Sequence, residues 1–568
     1  MFKMWRSKTK TMKITLNGKE IKCEENKTIY DICKDNDIVI PTLCKQENIA
    51  PEARCRICLV EMNGKLVTSC STYPKEGSKI VTDSEKAKNA RKRNTELMMA
   101  NHGKSCLVDT KSNELCKLLK EVGLDEFRFD KTKNYKQDLG SSVVRDNNKC
   151  INCGRCVDTC AKIQEIYAID FAGRGYNEHV TPYFEKNLAS VSCIKCGQCI
   201  LNCPVGAISE REHISEVIKV LNEKKKHVIV QIAPSIRVSL GEEFGYSPGT
   251  IVSGKMVAAF KKCGFEKVFD VDLGADMTIM EEASEFLERL KKGGPFPMIT
   301  TCCPGWILFM EHFYHDLFDH MSSCKSPHEM LGMLTKTYYA KKAGLSKKDI
   351  IVVSIMPCTA KKFESTRVEL DSGVDFVLTT REAAKLIKHF NIDFKNLKDE
   401  NFDSPLGVST GAATIFGATG GVMEAALRTA YEIGTKQKLE NPDFKVIRGM
   451  DGIKRGKVTI NGREIKFAAA HGGANVRKLI EECHDYHFIE IMACPGGCVG
   501  GGGQPIPTNS EIVKKRAAAL YSSDSKDKLR KSHENPVVKQ IYKEYLDYPL
   551  SKKAEKLLHT KYKKRSQF

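Results

Sequence analysis

The sequence predicts a multidomain protein, with small α+β units in its N-terminal part and a larger α/β unit after them. Three observations support this class. The chain has 568 residues, which is room for several domains. Most of the cysteines before residue 204 fall in clustered CxxC repeats. From His227 onward, apolar strand patterns alternate with amphipathic helix patterns.

Composition excludes several classes of protein. The chain is 41% hydrophobic and 28% charged, which is typical of a globular protein. It has no apolar run of about 18 residues and no secretory signal near its start, so we expect neither a membrane-bound nor a secreted protein. Clustered cysteines in such a chain favour metal over disulfides. We expect no nucleic-acid partner. The formal charge of +19 fits an acidic protein partner, or simply a lysine-rich solvated surface.

The chain begins with a basic extension over residues 1–11, whose first ten residues are MFKMWRSKTK. This segment has no acidic residue, so it is either an organellar targeting extension or a disordered basic start. We therefore expect the protein in the cytoplasm or in a mitochondrion-related organelle.

Residues 12–83 predict a first iron–sulfur domain. A strand pattern begins at Met12 and turns at Asn17-Gly18, a typical hairpin dipeptide. A cysteine pattern C-x10-C-x2-C-x11-C follows, and it resembles a plant-type [2Fe–2S] ferredoxin domain, which implies a β-grasp fold. Four thiolates satisfy one such cluster, and a zinc site is the alternative. The four ligands would be Cys44, Cys55, Cys58 and Cys70.

Residues 136–212 contain an internal cysteine repeat, C-x2-C-x2-C-x3-C, which occurs twice. This is the pattern of a two-[4Fe–4S] ferredoxin domain, in which the fourth cysteine of each run binds the other cluster. One cluster would therefore take Cys150, Cys153, Cys156 and Cys203, and the other Cys193, Cys196, Cys199 and Cys160.

Residues 213–510 predict the α/β unit. Its strands are expected at 227–232, 267–273, 297–301, 350–355, 375–380 and 488–492, and its helices at 275–292, 304–314, 379–390, 421–434 and 474–484. The segment FGATGG (416–421) is not a dinucleotide-binding loop, because it lacks GxGxxG and a following acidic partner.

Three of these strands run into cysteine motifs. They are Cys302-Cys303-Pro304-Gly305-Trp306, Met356-Pro357-Cys358 with Lys361 and Glu364 behind it, and Cys494-Pro495-Gly496-Gly497-Cys498. Cysteines four apart, as in the last motif, can lie across one helical turn. Ligands of open α/β sheets bind outside the carboxyl ends of strands, so the motifs predict one buried metal site made of three loops. Small buried hydrophobes at strand ends are the alternative.

The segments TCCPGW (301–306), MPCTAKKFE (356–364) and EIMACPGGCVGGGGQP (490–505) closely resemble the signature motifs of the [FeFe]-hydrogenases. The resemblance covers nearly the whole chain and implies a two-lobed α/β domain with an H-cluster between the lobes. Residues 511–568 contain RKSHENP (530–536) and LLHTKY (557–562), which resemble a segment that is a separate small subunit in periplasmic relatives.

The resemblance implies roles at the site. Cys303, Cys358, Cys494 and Cys498 would hold a [4Fe–4S] cubane, and Cys498 would bridge to a two-iron subsite carrying CO, cyanide and a dithiolate. Lys361 would donate to one cyanide, although a salt bridge with Glu364 is the plain alternative. The wall of the pocket would be Pro234, Ser235, Met356, Phe416 and Met492, whose alternative role is core packing.

The resemblance also implies a proton path. Cys302 would hand protons to the subsite, and Glu282, Glu285 and Arg289, with Ser322, would connect it to solvent. The spacing places the two glutamates and the arginine on one helix face, which also fits a solvated charge stripe.

In the same families a further [4Fe–4S] cluster is held by a histidine and three cysteines, which implies a site in residues 84–135. A basic amphipathic helix is expected over 84–101, followed by His102, Cys106 and Cys116. The expected middle cysteine is Asp109 in this chain. An aspartate-ligated cubane, a three-iron cluster and no cluster are all open at this point.

The resemblance implies a ferredoxin-linked hydrogenase that evolves H₂ in anaerobic metabolism. It would depend on H-cluster maturases, and complex I-like NADH-oxidising subunits are further candidate partners. Alternatives are a hydrogen sensor, which usually lacks the Cys302 thiol, an iron–sulfur assembly factor, which has incomplete motifs, and an electron-transfer subunit, which leaves residues 227–510 without a role.

Overall fold

The computed structural model describes residues 10–102, 113–124, 128–129 and 134–567. Nearly all of the predicted basic extension, and the two candidate ligands Cys106 and Asp109, lie outside the described residues.

The N-terminal unit is a five-stranded mixed sheet with one helix, as expected for a β-grasp fold. Asn17 and Gly18 make the first hairpin, and both have positive φ, as a two-residue turn requires. The strand order is β2-β1-β5-β3-β4. The elements are β1 Thr11–Leu16, β2 Lys19–Glu24, α1 Ile29–Asp35, β3 Leu59–Met62, β4 Lys65–Thr68 and β5 Lys79–Val81.

The next units are small and helical, with two short antiparallel strand pairs. The predicted helix at 84–101 is present as α2, and its buried side chains recur every three or four residues. The elements are α2 Glu85–His102, α3 Glu114–Glu121, β6 Val143–Arg145, α4 Arg155–Asp158, β7 Asp170–Ala172, β8 His179–Thr181, α5 Gln198–Asn202 and β9 Ile208–Glu210.

The first lobe of the α/β unit is a parallel four-stranded sheet in the order β11-β10-β13-β14. Its strands are buried on both faces, which explains their continuous apolar runs. The strands are β10 His227–Ile232, β11 Lys267–Asp270, β13 Ile350–Met356 and β14 Phe376–Thr379. Helices of this lobe and its surroundings are α6 Ile214–Glu223, α7 Ser253–Lys262, α8 Val271–Lys292, α10 Pro327–Leu334, α11 Ala340–Ala343, α12 Ala360–Glu364 and α13 Thr380–His389.

The second lobe has the strand order β12-β17-β16-β15, with β15 antiparallel to the rest. The strands are β12 Met298–Ile299, β15 Ile453–Ile460, β16 Arg463–His471 and β17 Phe488–Met492. Its helices are α9 Pro304–Phe313, α14 Gly411–Thr414, α15 Gly421–Thr435 and α16 Gly473–Glu481.

Two expected strands were too long. The strand expected over 267–273 ends at Asp270, because the Asp270 carboxylate accepts from the Asp272 backbone N–H and caps α8. The strand expected over 297–301 is reduced to Met298 and Ile299, since the chain leaves the sheet to reach the cysteine motif.

The C-terminal segment is helical and packs on both lobes. Its helices are α17 Ser510–Lys526, α18 Pro536–Ile541 and α19 Lys552–Leu558. Arg428 of α15 pairs with Asp524 at 2.8 Å, and both side chains are fully buried. Such pairs make the segment an integral part of the domain core.

Candidate functional site

The three cysteine motifs come from the two different sheets. Cys358 follows β13 of the first sheet, whereas Cys303 follows β12 and Cys494 follows β17 of the second sheet. The strands end toward one another, so the site lies between the two lobes. The sequence patterns of the six expected strands cannot show whether one sheet or two sheets supply these loops.

Four thiols converge there: Cys303, Cys358, Cys494 and Cys498. Burial raises the pKa of Cys358 to about 12, and the neighbouring Cys303 thiol adds to this shift. Burial also raises the pKa of Cys494, and the thiols of Cys358, Cys303 and Cys498 contribute. Each buried thiol makes it harder for its neighbours to ionise, and a cationic iron cluster would stabilise the thiolate forms of all four. The four thiols are therefore a donor set suited to such a cluster.

Cys494 and Cys498 are not joined by the helical turn that their spacing allows. Gly496 and Gly497 have φ values of +77° and +93°, and the Gly497 N–H donates to the Cys494 carbonyl oxygen at 3.0 Å. A Cβ on Gly497 would lie 2.7 Å from the Thr419 backbone nitrogen. Glycine is therefore required for this tight turn, and the turn directs the Cys494 and Cys498 thiols to the same site.

An apolar cavity of about 480 Å³ adjoins the thiols. Its lining includes every residue predicted for the pocket: Pro234, Ser235, Cys302, Met356, Lys361, Phe416 and Met492, together with Cys358 and Cys498. The buried Ser235 hydroxyl has no hydrogen-bond partner among the described residues. An apolar cavity with thiols, one ammonium group and an unsatisfied hydroxyl fits the two-iron subsite and its diatomic ligands.

Lys361 is 8% exposed and carries a raised pKa, because the Glu364 carboxylate outweighs the cost of burial. Its Nζ donates to Glu364 at 2.7 Å and to the Cys302 carbonyl oxygen at 3.1 Å. The salt bridge foreseen as an alternative is therefore present, and the same ammonium group also lines the cavity. Both roles coexist.

His328 belongs to this network, although no motif in the sequence predicts it. Its Nε2 donates to Glu364 at 2.6 Å and lies 3.3 Å from Glu329. His328 also lines the cavity. It follows Pro327 at the start of α10, and a histidine at such a position does not by itself indicate a functional site.

Three of the predicted proton-path residues are linked by hydrogen bonds, namely Ser322, Glu285 and Arg289, and Glu282 and Cys302 lie near them. Glu282 is fully buried, and burial with the charge of Glu285 raises its pKa to about 8. Neither Glu282 oxygen has a hydrogen-bond partner within reach among the described residues, although the Ser322 hydroxyl is near enough to lower the pKa slightly. Glu285 accepts from Ser322 at 3.3 Å and pairs with Arg289 at 2.6 Å. Burial and Glu282 raise the Cys302 pKa, which keeps this thiol protonated.

The two [4Fe–4S] cysteine sets line two separate cavities. One cavity of about 500 Å³ is bounded by Cys160, Cys193, Cys196 and Cys199. The other, of about 380 Å³, is bounded by Cys150, Cys153, Cys156 and Cys203. This is the crossed grouping that the repeat predicts, and the role of each thiol as a ligand stays a prediction.

The four cysteines predicted for the [2Fe–2S] cluster also lie together. Cys44, Cys55, Cys58 and Cys70 are all buried, at 6% exposure or less. The Cys55 and Cys70 thiols lower the pKa of the Cys44 thiol, so the three sulfurs lie close together. Cys33 is buried in the core of this unit, as expected, while Cys23 is only half-buried.

At the His102 site, the structure describes two of the four candidate ligands. His102 Nδ1 donates to the Lys149 carbonyl oxygen at 2.6 Å, and the Asn113 amide lies 3.2 Å from Nε2. A ring held this way keeps Nε2 as the basic nitrogen, the usual arrangement of a metal-binding histidine. Cys116 is buried in the same small core.

The cysteine sites are neighbours in space. The Cys494 sulfur lies 3.9 Å from the Cys196 carbonyl oxygen, and the Cys196 thiol contributes to the raised pKa of Cys494. The Cys199 thiol likewise raises the pKa of Cys156. Cys44 and Cys55 pack in one hydrophobic cluster with Cys153. The thiols therefore form a continuous series from the N-terminal unit to the cavity.

Comparisons with known proteins agree with this geometry. Residues 226–502 match the family described as iron only hydrogenase large subunit, C-terminal domain, and residues 510–565 match the iron hydrogenase small subunit. Residues 9–85 match a 2Fe-2S iron-sulfur cluster binding domain, and residues 149–207 a 4Fe-4S dicluster domain.

Two relatives are similar to this chain over nearly their whole length. The chain is 47% identical to the NADP-reducing hydrogenase subunit HndD of Solidesulfovibrio fructosivorans, over 97% of this chain and 99% of that protein. It is 41% identical to iron hydrogenase 1 of Clostridium pasteurianum, over 97% and 100%. The chain belongs to the [FeFe]-hydrogenase family.

A solved structure of a variant of [FeFe]-hydrogenase HydA1 from Chlamydomonas reinhardtii matches this fold, with 41% identity and a TM-score of 0.56, over 62% of this chain and 99% of that one. A distant relative, protein NAR1 of Arabidopsis thaliana, is 30% identical over 65% of this chain. This [FeFe]-hydrogenase is thus an iron–sulfur oxidoreductase with an H-cluster domain, a [2Fe–2S] domain and a two-[4Fe–4S] domain. Among the described residues, no helix is long and apolar enough to span a bilayer.

Proposed function

We propose that this hydrogenase catalyses 2H⁺ + 2e⁻ ⇌ H₂ at the cavity between the lobes, mainly toward H₂, with electrons supplied by reduced ferredoxin. The observation that carries the proposal is the contact of Cys494 with the Cys196 carbonyl oxygen. It supports an electron path that runs from the N-terminal thiol sites to the four-thiol site beside the cavity. Without such a path, the cavity would have no source of electrons.

The H-cluster would supply the iron centre at which H₂ is formed or split. We assign its cubane to Cys303, Cys358, Cys494 and Cys498, and the chain's other residues prepare the site. Lys361 presents a positive charge to the cavity, and Ser235 presents a hydroxyl group. The apolar side chains of Met356, Phe416 and Met492 exclude water, which strengthens both interactions.

Protons would enter by a route separate from the electrons. Cys302 holds a proton at the cavity wall, because burial keeps its thiol neutral. Glu282 can exchange protons near neutral pH, since its pKa is raised to about 8. Glu285 and Arg289, at 14% and 12% side-chain exposure, form the outer end of the route. Separate routes keep charge balanced in a site of low dielectric.

Ferredoxin is the proposed donor for two reasons. The sequence contains no nucleotide-binding motif, so direct use of NADH by this chain is not expected. The chain also carries a formal charge of +19, which suits an acidic protein partner. Maturases would have to insert the two-iron subsite before the protein could turn over.

A second candidate is electron exchange with a nucleotide-oxidising partner subunit. The observation in its favour is the 47% identity to a subunit of an NADP-reducing hydrogenase, which extends over the whole chain. In this case the N-terminal domains would receive electrons from that subunit, and the chemistry at the cavity would be unchanged.

The test is made on protein matured anaerobically with H-cluster maturases. We expect infrared bands from bound CO and cyanide, and H₂ evolution with reduced ferredoxin that falls as salt is added. NADH or NADPH alone should give no H₂. Turnover with either nucleotide only after addition of a partner subunit would favour the second candidate.

Absence of the infrared bands after maturation would contradict the proposal as a whole. It would favour the assembly-factor alternative, which the distant similarity to NAR1 represents. Normal bands with negligible turnover would favour the hydrogen-sensor alternative instead.

A further inference from the structure

The C-terminal segment places a histidine beside the predicted proton path. His559 follows α19, and its backbone pairs with the strand-like segment around Cys324. The Thr560 N–H donates to the Ser323 carbonyl oxygen at 2.8 Å, and the Lys325 N–H donates to the Leu558 carbonyl oxygen at 2.8 Å. These two bonds hold the imidazole ring directly against the path.

The ring joins two carboxylates of α8. His559 Nε2 lies 3.0 Å from Glu281, and Nδ1 lies 2.8 Å from the Ser323 hydroxyl oxygen. The same hydroxyl oxygen lies 3.2 Å from Glu285, which also accepts from the Ser323 N–H at 3.2 Å. A continuous hydrogen-bonded chain thus runs from Glu281 through His559 and Ser323 to Glu285.

The charges around the ring set its hydrogen-bond pattern. Glu281 accepts from the Tyr542 hydroxyl and from the Leu550 N–H at 2.8 Å, in addition to His559. The Glu281 oxygens act as acceptors in all three contacts, so Nε2 carries a hydrogen and donates it to Glu281. Burial keeps both Tyr542 and Cys324 protonated, since it raises their pKa values. Nδ1 is therefore the nitrogen that exchanges a proton with Ser323.

We propose that His559 is a proton-relay residue, which delivers protons to Glu285 through the Ser323 hydroxyl; this inference rests on the proposed hydrogenase function. When the imidazole is protonated, Nδ1 donates to Ser323 and the hydroxyl donates to Glu285. The imidazole proton then moves to the Ser323 oxygen while the serine's own proton moves to Glu285.

After this transfer the serine is unchanged, the imidazole is neutral and the carboxyl of Glu285 is protonated. The imidazole, whose side chain is 8% exposed, regains a proton from water. The relay would run beside the outlet at Arg289, which pairs with the other oxygen of Glu285 at 2.6 Å. His559 gives the path an imidazole ring, which can both accept and donate a proton, whereas an arginine can only donate.

A purely structural role for His559 is the competing explanation, because the His559–Glu281 pair also fastens the C-terminal segment. The chain offers a matched control in His533, a second histidine of this segment. His533 Nε2 pairs with Glu432 at 2.9 Å, and its side chain is 18% exposed. This pair also fastens the segment, but it is not connected to Glu285 by the hydrogen bonds described.

The experiment compares matured wild type with His559→Gln, His533→Gln and Ser323→Ala. We expect about tenfold slower H₂ evolution for His559→Gln and Ser323→Ala, because a relay group is lost while the Arg289 outlet remains. His533→Gln should turn over normally. Ser323→Ala is decisive, since it keeps the His559–Glu281 pair and the N–H bond to Glu285 but removes the hydroxyl.

Two further measurements distinguish a proton-relay role of His559 from a purely structural role. The pH dependence of the infrared bands at rest should shift in His559→Gln and stay at wild type in His533→Gln. Added imidazole should restore turnover in His559→Ala but not in Ser323→Ala. If His559→Gln fails to assemble its clusters, Ser323→Ala still decides the question.

Wild-type turnover and pH profiles in Ser323→Ala would overturn the inference, as would equal behaviour of His559→Gln and His533→Gln. Absence of H₂ turnover in matured wild-type protein would instead overturn the proposed function, and this inference with it.

Discussion

The Lys361 ammonium group and the Glu364 carboxylate are 2.7 Å apart inside the site, with 10% and 6% side-chain exposure. The pair explains how a positive charge can face an apolar cavity: Glu364 compensates the desolvation cost of Lys361, and His328 fixes Glu364 from the other side at 2.6 Å. Glu364 consequently has a lowered pKa of about 2.

Removal of this partner should therefore damage the site. We expect Glu364→Gln to lower the free energy of unfolding by about 3–5 kcal/mol, because it leaves a buried charge unpaired. The neighbouring Lys362–Glu382 pair, with both side chains fully buried, is the matched control. Glu382→Gln should cost similar stability in chemical denaturation, but only Glu364→Gln should shift the cyanide infrared bands. Equal bands in both variants would contradict a role for Lys361 at the cavity.

The raised pKa of Glu282 predicts how turnover and stability depend on pH. Below about pH 8 the carboxyl is protonated and can pass protons inward, so H₂ evolution should fall as pH rises through about 8. The folded state binds this proton more tightly than the unfolded state, whose pKa is near 4.5, so the free energy of unfolding should decrease between these two values as pH rises.

The measurement is a pH profile of H₂ evolution together with denaturation at several pH values. Glu282→Gln should abolish most turnover and weaken the dependence of the free energy of unfolding on pH between about 4.5 and 8. The control is Glu288→Gln, on the exposed face of the same helix. An unchanged pH profile in Glu282→Gln would remove this residue from the path.

Cys302→Ala should assemble every cluster yet lose about 100-fold or more of its turnover, because only a proton donor is removed. The checks are iron content, infrared bands and H₂ evolution on the same preparation. Full turnover in a variant with normal bands would exclude the relay role of this thiol.

Cys498→Ser should lose both the infrared bands and activity, since this thiol is the predicted bridge to the two-iron subsite. Cys263 is the matched control, because it is a buried cysteine whose pKa is raised by burial alone. Cys263→Ser should keep its iron content and its bands. Normal bands and turnover in Cys498→Ser would contradict the ligand assignment.

At the His102 site, a cluster with Asp109 as a ligand and an empty site are the competing outcomes, because Nδ1 bonds as in a metal-binding histidine whereas the Asn113 amide lies 3.2 Å from Nε2. In the first case Asp109 is a ligand in the native protein. Asp109→Cys should then leave the iron count unchanged and shift one low-temperature paramagnetic resonance signal, since oxygen is a harder donor than sulfur. A gain of four irons in the variant would show instead that the native site is empty. No change in either quantity would remove Asp109 from the site.

Local sequence patterns were sufficient to predict the cysteine groups and most of the strands of this protein. The repeated C-x2-C-x2-C-x3-C spacing grouped the cysteines of the two [4Fe–4S] sites, and the resemblance to a plant-type ferredoxin grouped those of the [2Fe–2S] site. Apolar runs placed the strands at β10, β13 and β17 and showed that cysteine motifs follow them. Strand ends were less well predicted, since the cap at Asp270 competes with the strand pattern that continues beyond it.

Only the tertiary structure decided which distant groups meet. The sequence could not show that the cysteine loops come from two sheets, or that the Gly496-Gly497 turn replaces a helix between Cys494 and Cys498. Nor could it place His328 beside Glu364, or His559 beside Glu285, since 36 and 274 residues separate the members of these pairs. Periodicity reports on neighbours within one helix or strand, whereas a pKa, a salt bridge or a proton path depends on which elements pack together and on how much water their packing excludes.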